Sequence, residues 1–209
     1  MPTLYLIRHG ETDWNRTGQL QGQCDIPLND LGQQQALALR PRLSPLGITR
    51  VYTSDLQRCR QTLALALPGH EPHLDPRLRE IDVGRVAGMT RSEAEFVLPE
   101  WSAAWRRDRL RTPFPGGESS ADLHQRSAAA ISEIVARHSG ETLAIVTHGG
   151  TMKAIVCAAL SLPPAERGHF RVDNTGLTGI FWEGEERTVL FLNDIAHLAS
   201  VGAPRRLDL

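Results

Sequence analysis

Four apolar residues, Leu4-Tyr5-Leu6-Ile7, run straight into Arg8-His9-Gly10. An apolar run this short, ended by a turn signal, reads as a buried strand rather than a helix. Thr142 to Thr147 repeats the pattern and ends in His148-Gly149-Gly150. Between the two lie helical patterns. One is expected from Asn29 or Asp30 through Leu43, kinked or shortened by Pro41. After a strand at Val51-Tyr52-Thr53, a helix capped by Ser54 or Asp55 carries Leu56, Leu63 and Leu67 and ends at Pro68-Gly69. Short helices near 91–98 and 100–110 flank Pro99, and Glu118 to His138 reads as a long helix with Ile131, Ile134 and Val135 inward. A helix from about Thr151 to Leu160 precedes strands at Phe170–Val172, Leu177–Trp182 and Thr188–Leu192, the last two joined by a turn over Glu183–Glu186. Residues 13–27 and 72–90 read as loop or irregular chain. This alternation predicts an α/β fold, a three-layer α/β/α sandwich whose mostly parallel central sheet is extended by antiparallel strands at the end.

No linker, repeat or low-complexity tract interrupts the 209 residues, so a single domain is expected. The net charge of -1 gives no global pull toward nucleic acid. No apolar run approaches membrane-spanning length and the N-terminus lacks a secretory pattern, which makes the cytoplasm the expected compartment. Cys24, Cys59 and Cys157 are odd in number, lack CxxC spacing and suggest no disulfide framework. HExxH, GxxxxGK[ST] and aspartate-rich loops are absent, so no metal or nucleotide site is announced. The late apolar strands offer a possible homodimer edge.

If the two His-Gly strand ends are neighbours, His9 and His148 meet in one crevice at the carboxyl edge of the sheet, where open α/β folds bind ligands. Gly10 is expected to let a ligand approach the backbone closely. His148 also stands where a helix begins, and free N–H groups there favour an anion. Ser54-Asp55-Leu56-Gln57-Arg58, another strand-to-helix passage, adds Arg58. Two arginines and two histidines at a helix N-terminus form a pocket for a phosphoryl group, whose oxygens match guanidinium forks. Of the other histidines, His70, His124 and His138 are expected at the surface and His197 in a structural role; His73 has no evident one.

These residues carry a resemblance. RHGETDWN at 8–15, the QG..D.PLN..G.QQA pattern from Gln21 to Ala36, SDLQRCRQT at 54–62, LREIDVG at 78–84, PGGES at 115–119, VTHGG at 146–150 and NDIAHL at 193–198 resemble the histidine phosphatase superfamily, also called phosphoglycerate mutase-like. The ordered set spans nearly the whole chain. The resemblance implies that His9 is a nucleophile carrying a transient phosphohistidine, with Arg8, Arg58 and His148 holding the phosphoryl oxygens. Asn15 would help orient the group, with Gln21 beside it and Gly22 and Gly149 contributing backbone N–H contacts. Glu80 would protonate the leaving oxygen and then activate water. No cofactor or metal is implied, because cationic side chains supply the charge. Residues 81–117 would form a variable cap-like segment over the site.

The implied function is metal-independent phosphomonoester hydrolysis through phosphohistidine, acting on a small phosphorylated metabolite. The alternatives are a cofactor-dependent phosphoglycerate mutase and, behind it, a non-catalytic phospho-ligand binder. Mutases of the family carry a Tyr and a Lys after the acidic glutamate that hold a sugar-acid carboxylate; residues 80–90 here have neither. Trp105-Arg106-Arg107 echoes a mutase arginine pair, although helix-surface arginines are expected there. Arg106, Arg107, Arg109 and Arg111 are read as a solvated basic face, with a second anionic group on the substrate as the alternative. Val86-Ala87 stands where family members often have an aromatic-acidic pair, which leaves the pocket rim open.

Overall fold

The computed structural model describes residues 1–183 and 186–201. Strands β1 (Thr3–Arg8), β2 (Arg50–Thr53), β3 (His73–Leu74), β4 (Thr142–Thr147), β5 (Leu177–Glu183) and β6 (Glu186–Asp194) form one sheet in the order β3-β2-β4-β1-β5-β6. β3, β2, β4 and β1 pair in parallel, and β5 and β6 extend the sheet antiparallel. The helices are α1 (Asp13–Thr17), α2 (Asp30–Leu43), α3 (Gln57–Ala66), α4 (Arg91–Val97), α5 (Pro99–Arg107), α6 (Ser120–Arg137) and α7 (Gly149–Ala159).

Successive strand side chains point to opposite faces, and β1 divides accordingly. Leu4 and Leu6 pack with Ile131, Ile134 and Val135 of α6 and Met152 and Ile155 of α7. Tyr5 and Ile7 pack with Leu39 and Leu43 of α2 and Cys59 and Leu63 of α3. The sheet is therefore the middle of three layers. Leu4, Leu6 and Ile7 are fully buried, and truncating any one to alanine should cost about 2–5 kcal/mol. A third apolar cluster, built on Val83, Val86 and Ala94 with Trp101 and Phe114 against it, lies within residues 81–117 apart from Leu20.

Several local expectations are corrected. α2 continues through Pro41 to Leu43. The carbonyl that loses a donor there belongs to exposed Leu37, where water can replace the missing bond. α3 takes no cap from Ser54 or Asp55; Asp25, from the preceding loop, accepts from Gln57 N at 2.6 Å. α7 begins at Gly149, directly after His148. Phe170–Val172 is not a strand; the backbone there bonds to side chains instead, Val172 O to Arg8 Nη1 and Asp173 N to Asn193 Oδ1. The turn expected over Glu183–Glu186 falls partly outside the described residues. His70 is exposed, whereas His124 and His138 are half-buried. Tyr52 explains His138, bonding its Nε2 at 2.8 Å, and Tyr52 also stacks on exposed His73. His197 Nε2 meets Thr175 Oγ1 at 3.1 Å, a structural contact. No described helix is long and apolar enough to cross a membrane.

Candidate active site

β1 and β4 run in parallel with Arg8 beside Thr147, so His9 and His148 leave the sheet together. Their rings stand edge to face with centroids 5.1 Å apart. The backbone of His9 is fixed from both sides: its N–H reaches Thr147 O at 2.9 Å, and its carbonyl accepts from Asn174 Nδ2 at 3.0 Å. His9 Nδ1 lies 2.7 Å from Gly10 O. A carbonyl only accepts, so Nδ1 carries the proton and Nε2 keeps its lone pair. Burial first, then the charges of Arg58 and Arg8, hold this imidazole well below its ordinary pKa, and it is neutral at pH 7.

His148 is fixed in the opposite tautomer by its own partners. Arg58 Nε donates to its Nδ1 at 3.1 Å, leaving Nε2 to donate to Ser54 Oγ at 2.9 Å. The residue expected as a helix cap is thus the orienting partner of the second histidine. Cys59 Sγ stands 3.4 Å from the same Nε2. Burial pushes the Cys59 thiol up to about 12, so it remains a neutral packing group. Arg58 is fully buried, and its Nη1 and Nη2 reach Cys24 O and Gly22 O, each at 2.7 Å. A guanidinium has five N–H donors, so one remains on each Nη. Arg60 on the same helix is exposed.

Glu80 reaches the start of α7 from the opposite side. Its Oε2 accepts from Gly150 N and its Oε1 from Ile81 N, both at 2.9 Å. Arg126 of α6 builds the loop that carries it. Nη1 donates to Arg77 O and Arg79 O, Nη2 to Glu80 O at 2.8 Å, and Nε to Glu118 Oε1 at 2.7 Å. Arg126 escaped the sequence reading, because a lone arginine in an amphipathic helix is indistinguishable from a solvated one. Glycine at 150 leaves room for the carboxylate: a methyl there would fall on Glu80 Oε1 and lie 3.1 Å from its Cδ.

A cavity of about 760 Å³ opens over this assembly. Arg8, His9, Asn15, Gln21, Gly22, Arg58, Glu80 and Gly149 all line it, while His148 lies fully buried beneath. Arg8 is held by one bond, Nη1 to Val172 O at 2.7 Å. Asn15 uses its amide oxygen to cap α1, accepting from Thr12 N at 3.1 Å. That leaves its Nδ2 without an acceptor among the described residues. The N–H groups of Gly22 and Gly149 make no backbone bond among the described residues. Gly22, at φ 49°, adopts a conformation that suits glycine and presses against Val83. Gly10 corrects an expectation. Its open side is filled by the Gly32 backbone, where an added Cβ would lie 2.5 Å from the carbonyl oxygen; no ligand enters there. Among the described residues, no group of three or more His, Cys, Asp and Glu converges to hold a metal ion.

Arg106, Arg107, Arg109 and Arg111 do not line the cavity. Arg106 pairs with Glu95 at 2.8 Å, Arg109 lies over the Trp105 ring at 4.8 Å, and Arg107 and Arg111 are exposed.

The chain is similar to known proteins over nearly its whole length. "Phosphoglycerate mutase-like protein 4" of Arabidopsis thaliana is 34% identical over 205 residues, covering 95% of this chain and 88% of its own. The crystal structure of α-ribazole phosphatase from Shigella flexneri superposes with a TM-score of 0.88 at 27% identity, covering 92% of this chain and 96% of that one. The phosphoserine phosphatase of Entamoeba histolytica, in a complex with phosphoserine, superposes with a TM-score of 0.83 at 28% identity, covering 95% and 100%. The model of the histidine phosphatase superfamily (branch 1) matches residues 4–195, and the chain belongs to that superfamily.

Proposed function

We propose that this protein is a phosphomonoesterase that works through a phosphohistidine on His9. The observation that carries the reading is the Nδ1 bond from His9 to Gly10 O, which leaves a neutral Nε2 facing a cationic cavity. In the first step the Nε2 lone pair attacks phosphorus, the ester P–O bond breaks, and the leaving oxygen takes the proton of the Glu80 carboxyl. In the second, the Glu80 carboxylate takes a proton from water as the water oxygen attacks phosphorus. The P–N bond then breaks, returning neutral His9 and releasing phosphate. Arg8 and Arg58 neutralise charge on the oxygens that do not react, the main demand of phosphoryl transfer, and neutral His148 beneath them holds Arg58 through Nδ1. Asn15 Nδ2 and the N–H groups of Gly22 and Gly149 orient them, and Gln21 lines the same wall. Residues 81–117 act as the cap, contributing Ile81, Val83 and Arg91 to the cavity.

The mutase alternative draws on the name of the Arabidopsis relative. Hydrolysis is favoured because, of the Arg106-Arg107 pair that echoes the mutases, Arg106 is paired with Glu95 and neither arginine lines the cavity. The test uses p-nitrophenyl phosphate and 3-phosphoglycerate with the native chain and His9→Ala. Metal-chelator-insensitive phosphate release, absent in His9→Ala, together with acid-labile labelling of the native enzyme, is expected. Isomerisation of 3-phosphoglycerate outpacing phosphate release, with a bisphosphorylated primer present, would give the site to mutase chemistry. No acid-labile phosphoenzyme would remove His9 as acceptor.

A further inference from the structure

The cavity is longer than a phosphoryl group needs, and its cations differ in how they are partnered. Arg16 is tied to Asp13, Arg171 to Asp173 and His169 to Glu166. Lys153 and Arg167 also line the cavity and are half-buried, yet neither has a carboxylate within ion-pair distance among the described residues. Arg167 makes one neutral bond, Nη2 to Ser120 Oγ at 2.7 Å. Lys153 makes none. Glu80, the nearest acid to act on both, is already engaged by Ile81 N and Gly150 N.

Lys153 follows Gly149 and Gly150 by four and three residues on α7, so the three share one face of the helix. Gly149 borders the Arg8 guanidinium, and Gly150 holds Glu80. One helical turn therefore separates the phosphoryl cradle from Lys153, a rise of about 5 Å.

We infer that Lys153 and Arg167 form a second anion subsite, and that the substrate is a small phosphomonoester carrying a carboxylate or second phosphate a few bonds from the reacting group. The inference rests on the phosphoryl site proposed above and moves the second-anion role from the cap arginines to α7 and the segment after it. Burial, then the charges of Arg8 and Arg167, lower the ammonium pKa of Lys153. A bound anion reverses that penalty, which is what makes the pair selective for a charged tail over a hydroxyl.

The experiment compares glycerol 1-phosphate, 3-phosphoglycerate and propane-1,3-diol bisphosphate, which differ in having no second anion, a carboxylate or a phosphate. With the native enzyme, kcat/KM for at least one charged-tail substrate should exceed that for glycerol 1-phosphate by about tenfold or more, chiefly through KM. The carboxylate and bisphosphate arms identify which tail is read. Lys153→Met and Arg167→Met should each lower the ratio at least about fivefold, and Lys153→Arg should retain most of it, which separates lost charge from lost packing. A native ratio near one, or a ratio that survives both methionine variants, overturns the subsite. Calorimetric binding of the three ligands to His9→Ala, with and without Lys153→Met, reads the same preference without turnover. If no ester is hydrolysed but the binding preference is present and is lost in the Lys153 variant, the hydrolase reading fails and the subsite stands.

Discussion

Gly150→Ala separates the acid–base step from the rest of the site. The added methyl would overlap Glu80 Oε1 and sit 3.1 Å from Cδ. The obstacle is the far end of a flexible side chain, so the carboxylate swings away and gives up its bond from Gly150 N, 2.9 Å long here. Losing that charge-assisted bond costs about 1.5–3 kcal/mol. Alanine in place of glycine within a helix returns roughly 0.5–1 kcal/mol. Net stability should fall by about 2 kcal/mol or less, a modest shift in Tm. Catalysis should fall much further, because general acid–base assistance is worth about 10²–10⁴ in rate. For glycerol 1-phosphate, whose alkoxide needs a proton to leave, kcat should drop within that range. For p-nitrophenyl phosphate the phenolate leaves unaided, so stopped flow should show a burst of one equivalent before slow turnover, with phosphohistidine accumulating. A kcat on glycerol 1-phosphate within threefold of the native value would refute the reasoning. So would a burst slowed as much as alkyl ester turnover, since the methyl would then be acting on the phosphoryl cradle.

Arg58→Ala should abolish measurable turnover, and because it leaves the Gly22 and Cys24 carbonyls unpaired it should also cost about 2–4 kcal/mol; Arg60→Ala, on the exposed face, should do neither, and equal effects would remove Arg58 from the pocket. Arg126→Met should lower kcat about tenfold to a hundredfold with KM changed by less than threefold, since it acts through the position of Glu80; a loss confined to KM would contradict that role. His9 and His148 are both held well below the ordinary histidine pKa, by burial first and Arg58 next. The unfolded chain then binds protons below about pH 6.5 that the folded chain does not, so stability present above that pH is lost as pH falls, by up to about 1.4 kcal/mol per pH unit for each histidine. Urea titrations at pH 7 and 5.5 should show a smaller loss in His9→Asn than in the native chain; an identical loss would mean that His9 takes up its proton equally in the folded and unfolded chains.

How far the sequence discloses the site depends on whether a residue's partners are near it in the chain. Leu4–Ile7 and Thr142–Thr147 are legible as strands because their composition and length decide it, whereas their pairing is set by the tertiary fold. Once β1 and β4 lie side by side, His9 and His148 have nowhere to go but one crevice. The long helix over Ser120–Arg137 is legible for the same reason, its apolar stripe being local. Ser54 was not, because the same hydroxyl can cap a helix or orient a histidine 94 residues away, and only the tertiary pairing chooses. Its place as cap then falls to Asp25, 32 residues before Gln57. Phe170–Val172 is apolar enough to be a strand, but its backbone meets side chains rather than another strand. That segment found another use: Val172 O accepts Arg8 Nη1 and aims the guanidinium into the cavity.

The same rule separates two sets of cations, and the solvated basic face expected of the cap arginines is what the fold shows. Arg106, Arg107, Arg109 and Arg111 form the densest run of cations in the chain and draw attention as a cluster. Density in sequence, however, says nothing about neutralisation in space: Glu95 and the Trp105 ring engage two of them. Lys153 and Arg167 are fourteen residues apart and unremarkable in composition, yet both face the cavity without an acid. An unpartnered, half-buried cation carries a desolvation cost that a solvated one does not. Such a cost persists only where something offsets it, and a substrate anion is the partner that this cavity can admit.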